Sequence, residues 1–196
     1  HKTPRRQRQM CIRDRDSSDL KNDGNANLLI GDQIFIEKGA VVTGSTLNST
    51  DGPIYIFKGA EVMEGSNLRG PLAIMENSVV KMGSKIYGPT TIGPHCKIGG
   101  EISNVVFQGF SNKAHDGFMG NSVIGYWCNF GADTNTSNLK NNYGLVKSWC
   151  YESKNFESTE TQFCGLIAGD HSKSGINTMF NTCLLYTSPS PRYRNV

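Results

Sequence analysis

An aliphatic residue recurs at every sixth position through the middle of the chain, from residue 56 to residue 98. Few folds fit such a period, because an α-helix repeats every 3.6 residues and a half-buried strand every two. A second series, of aliphatic or small residues, stands two positions before the first. The aliphatic series is Ile56, Val62, Leu68, Ile74, Val80, Ile86, Ile92 and Ile98, with Asn104 in the ninth place. The second series is Ile54, Ala60, Ser66, Leu72, Ser78, Ser84, Thr90, Cys96 and Ile102.

A six-residue period is typical of hexapeptide repeats, in which three short strands form one triangular coil and successive coils stack. The aliphatic side chains are expected to point into the prism, and the small residues to lie near its corners. We therefore predict an all-β fold, a left-handed parallel β-helix of hexapeptide repeats, with stacked strands ~4.8 Å apart and no helix. The left hand is the one found in hexapeptide families. The alternative is an ordinary β-sandwich in which the spacing is accidental.

The period is broken twice. The separation of Val42 and Ile56 is two positions longer than two hexads, which predicts a small insertion at residues 45–52. The separation of Ile98 and Ile124 is likewise two positions longer than a whole number of hexads, which predicts a second insertion.

The second break contains residues 108–120, which we predict to form a polar loop on the wall of the prism. Farther on, residues 139–163 lose the period and are predicted to form a polar excursion or a hairpin. Residues 164–170 are predicted to return to the prism in a register that the sequence does not define.

The two ends of the chain differ from its interior. The formal charge of the 196-residue chain is +3, but the excess of positive charge lies in these ends, so it does not indicate a nucleic-acid partner. Both ends lack the period and resemble translated sequencing-adapter DNA. We expect residues 1–20 and 183–196 to be non-native or disordered tails around one domain, residues 21–182, truncated at its C-terminus. The alternative is a natural, disordered basic arm.

Six cysteines occur without a CxxC pair or metal-like spacing to a histidine, so we expect free thiols, no metal site and a cytoplasmic protein. No apolar run is long enough to span a membrane, and we expect no membrane partner.

Polar side chains suited to chemistry lie in the second break. His115 and Lys113 stand there between glycines, with Asn129 and Asn138 about one coil later. A histidine titrates near neutral pH and can remove a proton from an amine. A single histidine in a polar loop is also commonly structural, so the residues alone leave both roles open.

The same residues carry a resemblance. The run KAHDGFMG at residues 113–120, followed by CNFGADTNTSN at residues 128–138, resembles the acetyltransferase half of bifunctional N-acetylglucosamine-1-phosphate uridyltransferases. In that family a Lys-Ala-Gly-His-x-x-Tyr-x-Gly loop precedes the strand Asn-Ile-Gly-Ala-Gly-Thr-Ile-Thr-x-Asn-Tyr. The wider sequence is similar to the Bacteroidetes-type branch, and the resemblance covers about residues 25–182.

The resemblance implies a role for each matching residue. His115 corresponds to the catalytic base and Asn129 to an amino-sugar contact. Ala132 and Asn138 fall near the acetyl group and the pantetheine arm of acetyl-CoA. Phe118 stands where the family has a tyrosine that touches the sugar phosphate, so one hydrogen bond is missing.

The family also has a lysine on the preceding coil, which aligns here with Ser103 or Asn104, neither of them cationic. Lys113 or Lys147 is expected to supply that charge, and we include Lys113 among the substrate-binding residues.

The function implied is acetyl-CoA-dependent N-acetylation of glucosamine 1-phosphate, or a related amino-sugar phosphate, in the synthesis of UDP-N-acetylglucosamine for the cell wall. Family members are cytoplasmic homotrimers whose sites lie between neighbouring prisms. Their Mg²⁺ belongs to a nucleotidyltransferase domain, which we expect, with the last CoA-binding coils, to lie outside this chain. The alternative is a non-catalytic or carbonic-anhydrase-like scaffold, but His95, His115 and His171 are scattered in register and do not indicate a three-histidine metal site.

Overall fold

The computed structural model describes residues 26–183 and a short strand at residues 185–186. Within this part of the chain there is no helix, and parallel strands stack as a β-solenoid of about six turns. The predicted left-handed β-helix is thereby confirmed. The predicted tail at residues 1–20 lies outside the described residues, as do residue 184 and residues 187–196 of the second tail.

Three parallel ladders form the faces of the prism. The first face holds β1 (Leu28–Ile30), β4 (Thr46–Asn48), β7 (Asn67–Arg69), β10 (Lys85–Tyr87) and the first halves of β13 (Glu101–Gly109) and β15 (Phe118–Tyr126). The second holds β2 (Ile34–Ile36), β5 (Ile54–Ile56), β8 (Leu72–Ile74), β11 (Thr90–Ile92), the second halves of β13 and β15, β19 (Ile167–Ala168) and β21 (Leu185–Tyr186). The third holds β3 (Val41–Val42), β6 (Glu61–Val62), β9 (Val79–Val80), β12 (Lys97–Ile98) and β14 (Asn112–Lys113).

The aliphatic rungs fill the interior as predicted. All eight, from Ile56 to Ile98, are at most 1% exposed. Their partners on each face are three hexads apart, as in the pairs Ile56–Ile74 and Val62–Val80. The small residues of the second series are buried as well. Since burying one such aliphatic side chain contributes roughly 1.5–3 kcal/mol, this column is the main source of stability.

The first break is an insertion, as predicted. Ile34 pairs with Ile54, so that the offset between these partners is two positions longer than three hexads. The strand β4 stays in the prism, with Leu47 fully buried, and the extra residues lie in the turn between Asn48 and Ile54.

The second break is different in kind, and the predicted insertion is wrong. Ile98 pairs with Lys113, an offset three positions short of three hexads, and the bridge from Asn112 to Asn129 falls one position short. The coils here are therefore shorter than the regular coil, and residues 108–120 remain in the wall of the prism instead of forming a loop outside it.

The prediction that Asn104 occupies the next inward position of the series is also wrong. Asn104 is exposed and occupies a corner with φ of 55°. Ile102, which pairs with Ile86, fills the interior instead. The turn that follows Ile98 is two residues shorter than the turns that follow Val62 and Val80, and this moves every later rung forward.

The excursion at residues 139–163 is confirmed as a hairpin. β17 (Lys147–Cys150) and β18 (Asn155–Ser158) pair in antiparallel fashion. The chain leaves and re-enters the prism at adjacent points, because the Cys164 N–H donates to the Asn138 carbonyl at 2.9 Å. The return is confirmed too, since β19 pairs with β15, and β16 (Asn135–Thr136) then pairs with β20 (Met179–Phe180).

Candidate functional site

The predicted site residues gather around one corner, where the third face turns into the first. β14 ends at Lys113, β15 begins at Phe118, and the turn between them carries His115. The turn at residues 131–134 stacks closely on this one, because a Cβ at Gly117 would collide with the Thr134 carbonyl. Glycine is therefore required at residue 117, whose φ is 113°.

His115 lies on the outside of this corner and is exposed. Its carbonyl oxygen turns inward and accepts a hydrogen bond of 2.7 Å from the Lys113 Nζ. No side chain or backbone group of residues 26–183 hydrogen-bonds the imidazole. Both ring nitrogens are therefore accessible from outside the prism.

Lys113 lies inside the prism, not on its surface. It occupies the rung after Ile98 on the third face and is only 1% exposed. Its Nζ donates to the carbonyls of His115 at 2.7 Å, Asp116 at 3.0 Å and Gly99 at 3.4 Å. An ammonium held in this way does not reach a ligand outside the wall, so the expected substrate contact of Lys113 has no support in this geometry.

The surroundings of Lys113 determine its protonation. Burial lowers the pKa of the Lys113 ammonium to about 8, because a charge is poorly solvated there. The carboxylates of Asp116 and Asp133 oppose this shift by favouring the cation. At neutral pH the ammonium is therefore still mostly protonated.

Asn129 lies on the outer side of the third face, one coil above Asn112. The Asn112 amide Nδ2 donates to the Asn129 Oδ1 at 3.0 Å. The Asn112 Oδ1 is buried and, among the described residues, is the single buried side-chain acceptor without a hydrogen-bond partner. Buried polar atoms are usually paired, so this oxygen is an exception within the wall of the prism.

Ala132 lies in the turn that stacks on the turn of His115. Its carbonyl accepts a hydrogen bond of 2.8 Å from the Asn177 N–H. Its own N–H donates to no group of the described residues. The Ala132 N–H can therefore serve as a donor at this corner.

Phe118 and Asn138 lie together on the first face, on the other side of the corner. A Cβ at Gly120 would lie 2.5 Å from the Phe118 Cζ and 2.7 Å from the Asn138 Nδ2, so both side chains cover this glycine. The Asn138 Nδ2 donates to the Asn121 Oδ1 at 2.6 Å. Its amide already has a structural partner at the foot of the hairpin.

Sequence reasoning missed Lys173. It forms a bridge to Asn129 on the third face and is exposed, so its side chain projects from the same outer face as Asn129. Its position could not be assigned from the sequence, because the hairpin separates it from the regular period.

The other two described histidines lie elsewhere. His95 and His171 occupy the corner between the second and third faces, both with positive φ. The His95 ring stacks on Phe110 at 4.9 Å, and Phe110 stacks on Trp127 at 4.6 Å. The part of the chain that is described holds no cluster of three or more His, Cys, Asp or Glu side chains suited to a metal ion.

A shallow groove of about 390 Å³ lies between the hairpin and the second face. It is lined by Tyr151 of the hairpin and, on the prism, by residues that include Gln108, Val123, Ile167 and Asp170. None of the predicted site residues lines it.

No protein-family model matches this chain, and no curated protein matches it either. Between residues 26 and 183 the structure contains no helix that could cross a membrane.

Proposed function

We propose that this chain is the acyltransferase part of an acetyl-CoA-dependent N-acetyltransferase acting on an amino-sugar phosphate such as glucosamine 1-phosphate. The observation that carries the proposal is the corner at His115. An exposed imidazole without a hydrogen bond lies one turn below the unbonded Ala132 N–H and beside the Asn112–Asn129 pair, which includes a buried acceptor without a partner.

The reaction requires a base, because an ammonium has no lone pair with which to attack. His115 takes a proton from the sugar amine as its nitrogen attacks the carbonyl carbon of the thioester. The Ala132 N–H donates to the oxyanion that develops. The carbon–sulfur bond then breaks, and the departing thiolate receives the proton that His115 accepted.

The sugar phosphate binds on the third face. Asn129, which is exposed on this face, offers its amide to the hydroxyl and amino groups of a sugar. Lys173, one coil above Asn129, supplies the cation for the phosphate, the role that Lys113 does not fill from inside the prism. Phe118 offers only its ring on the first face, without the hydroxyl that the resembling family has there.

The wider setting follows from the resemblance. We propose a cytoplasmic homotrimer with sites completed by neighbouring prisms, and a product used in UDP-N-acetylglucosamine synthesis. Acetyl-CoA is the co-substrate, and Mg²⁺ belongs to nucleotidyl transfer by a further domain. The Asn138 amide already donates to Asn121. We propose that Asn138 helps to bind the pantetheine arm by shaping the surface of the first face.

Thiol release from acetyl-CoA in the presence of glucosamine 1-phosphate tests this function. His115→Asn is expected to lower the rate by about 10²–10⁴, the usual contribution of a general base. His171→Asn is the matched control, since His171 is exposed on a different corner and is expected to keep the wild-type rate. Equal rates in the wild type and His115→Asn would remove His115 from the mechanism.

The second candidate is a scaffold without catalysis. One observation favours it: no side chain of residues 26–183 orients the His115 imidazole, whereas catalytic bases are commonly held by a third group. Binding and turnover separate the two candidates. If a chain extended by the CoA-binding coils of the resembling family releases no thiol, and glucosamine 1-phosphate does not perturb its His115 NMR signals, the scaffold is the correct function.

A further inference from the structure

Lys113 is the feature of the interior that the prism itself does not explain. On the third face the rungs before it are Val42, Val62, Val80 and Ile98, and Phe130 follows. An aliphatic side chain would fill this position without burying a charge. A buried ammonium is costly unless polar groups compensate for its lost hydration, so its presence points to a local task.

The contacts of the ammonium identify that task. Two of its three acceptors, the carbonyls of His115 and Asp116, belong to the turn that begins one residue after Lys113. In the described part of the chain no backbone N–H donates to either carbonyl. The Lys113 Nζ is thus the donor that holds both of them, and it pulls them toward the axis of the prism.

This arrangement determines where the imidazole lies. With its carbonyl turned inward, residue 115 directs its side chain away from the axis. The neighbouring backbone bonds hold only the two ends of the turn: the Gly99 N–H donates to the Lys113 carbonyl at 2.7 Å, and the Glu101 N–H to the Gly117 carbonyl at 3.2 Å. The centre of the turn depends on Lys113.

We propose that Lys113 is a positioning residue, whose buried ammonium fixes the turn at residues 114–117 and thereby holds the His115 imidazole outward for its task. Its effect on rate rests on the proposed function, whereas its effect on the turn does not.

The ordering of the turn can be measured without any assay of activity. In the wild type, the ¹⁵N order parameters of the His115 and Asp116 amides are expected near 0.85, the value of a rigid backbone. In Lys113→Met, which keeps an unbranched apolar side chain, they are expected below 0.6. Lys85→Met, which removes an exposed lysine from the first face, is the control and is expected to leave both values unchanged.

Chemical rescue provides the second measurement. Lys113→Ala removes the atoms of n-propylammonium, so this cation is expected to bind in the vacated space and restore the order of the turn with a saturable dependence. Tetramethylammonium carries the same charge but has no N–H to donate, and is expected to have no effect. If Lys113→Ala does not fold, Lys113→Met still provides the test.

Kinetics connect the turn to the reaction. In Lys113→Met we expect kcat for acetyl transfer to fall by about 10²-fold, the effect of misplacing a catalytic group by about 1 Å, with KM for the sugar changed much less.

The two proposals fail in different ways. Unchanged order parameters in Lys113→Met would overturn the positioning role, whatever the activity. A disordered turn in that variant, together with no acetyl transfer by a wild-type chain extended by the CoA-binding coils, would overturn the proposed function and leave the structural role of Lys113 intact.

Discussion

Residues 54–98 and residues 101–136 are built on the same three faces but differ in what fills them. In the first stretch each rung is Leu, Val or Ile, and partners on a face are three hexads apart. In the second stretch Lys113 and Thr136 take inward positions, and the offset between partners falls short of three hexads. The uniform stretch presents only a regular wall, whereas the uneven one presents the turn of His115. The candidate site therefore lies where the interior departs from the repeat.

The largest expected effect comes from introducing a second lysine one rung away from Lys113 on the same face. Ile98 lies directly before Lys113 on the third face. In the turn that follows Ile98, the Gly100 carbonyl already accepts from the Lys85 N–H at 2.9 Å. Ile98→Lys would bury a second ammonium without free acceptors, and is expected to reduce the free energy of unfolding by about 3–5 kcal/mol.

Urea unfolding followed by circular dichroism measures this loss. Val41→Lys is the matched control, because Val41 lies on the same face but is 50% exposed, and a change below about 0.5 kcal/mol is expected. A loss as small in Ile98→Lys as in Val41→Lys would show that the interior accepts an ammonium anywhere, and the contrast between the two stretches would disappear.

The uniform stretch was predictable from sequence because one physical rule governs it. An inward position excludes water, so an aliphatic residue must occupy it at each repeat, and the period of six is visible in the letters. The insertion before Ile54 and the hairpin after Asn138 were predictable for the same reason, because each interrupts the six-residue period. Their exact turns depend on backbone conformations that the aliphatic pattern does not encode.

The uneven stretch could be predicted only in part. The motif around His115 could be recognised from sequence. Lys113 was predicted to lie on the surface, because lysine is rarely buried. The shortened turn after Ile98 then appeared as an insertion. Lys173 was missed for a related reason, since its register follows from strand pairing across the hairpin and not from local sequence.

The stability of the uneven stretch is expected to depend on pH through Lys113. The pKa of Lys113 is about 8 in the folded chain, against a usual value of 10.5. Below pH 8 both folded and unfolded chains hold the proton, and the cost of burying the charge is fully present. Between pH 8 and about 10.5 the unfolded chain still binds a proton that the folded chain has released, so stability rises with pH. Relative to Lys113→Met, we expect the wild type to gain at most about 3 kcal/mol across this range.

Paired urea titrations of the two proteins at pH 7 and pH 10 measure that gain. Other groups whose pKa is raised in the folded chain, the Tyr87 hydroxyl and the buried Cys96 thiol among them, are shared by both proteins and cancel in the difference. Asp116 and Asp133, the carboxylates that act on Lys113, are likewise present in both proteins. A difference that stays constant or shrinks with rising pH would mean that Lys113 is not a buried ammonium.

The smallest expected effect comes from removing the hairpin, the largest departure from the repeat along the chain. Leu139 and Phe163 pair as neighbours at its base, so an Asn-Gly turn can replace residues 140–162 and close the gap as a two-residue hairpin. All four residues of β18 are exposed, and the buried Val146 lies outside the core of the prism. We therefore expect the free energy of unfolding to change by less than about 1 kcal/mol, because little apolar area is buried against the prism. Urea unfolding of the shortened chain measures this, and a loss comparable to that of Ile98→Lys would mean that the hairpin supports the fold as much as an interior rung does.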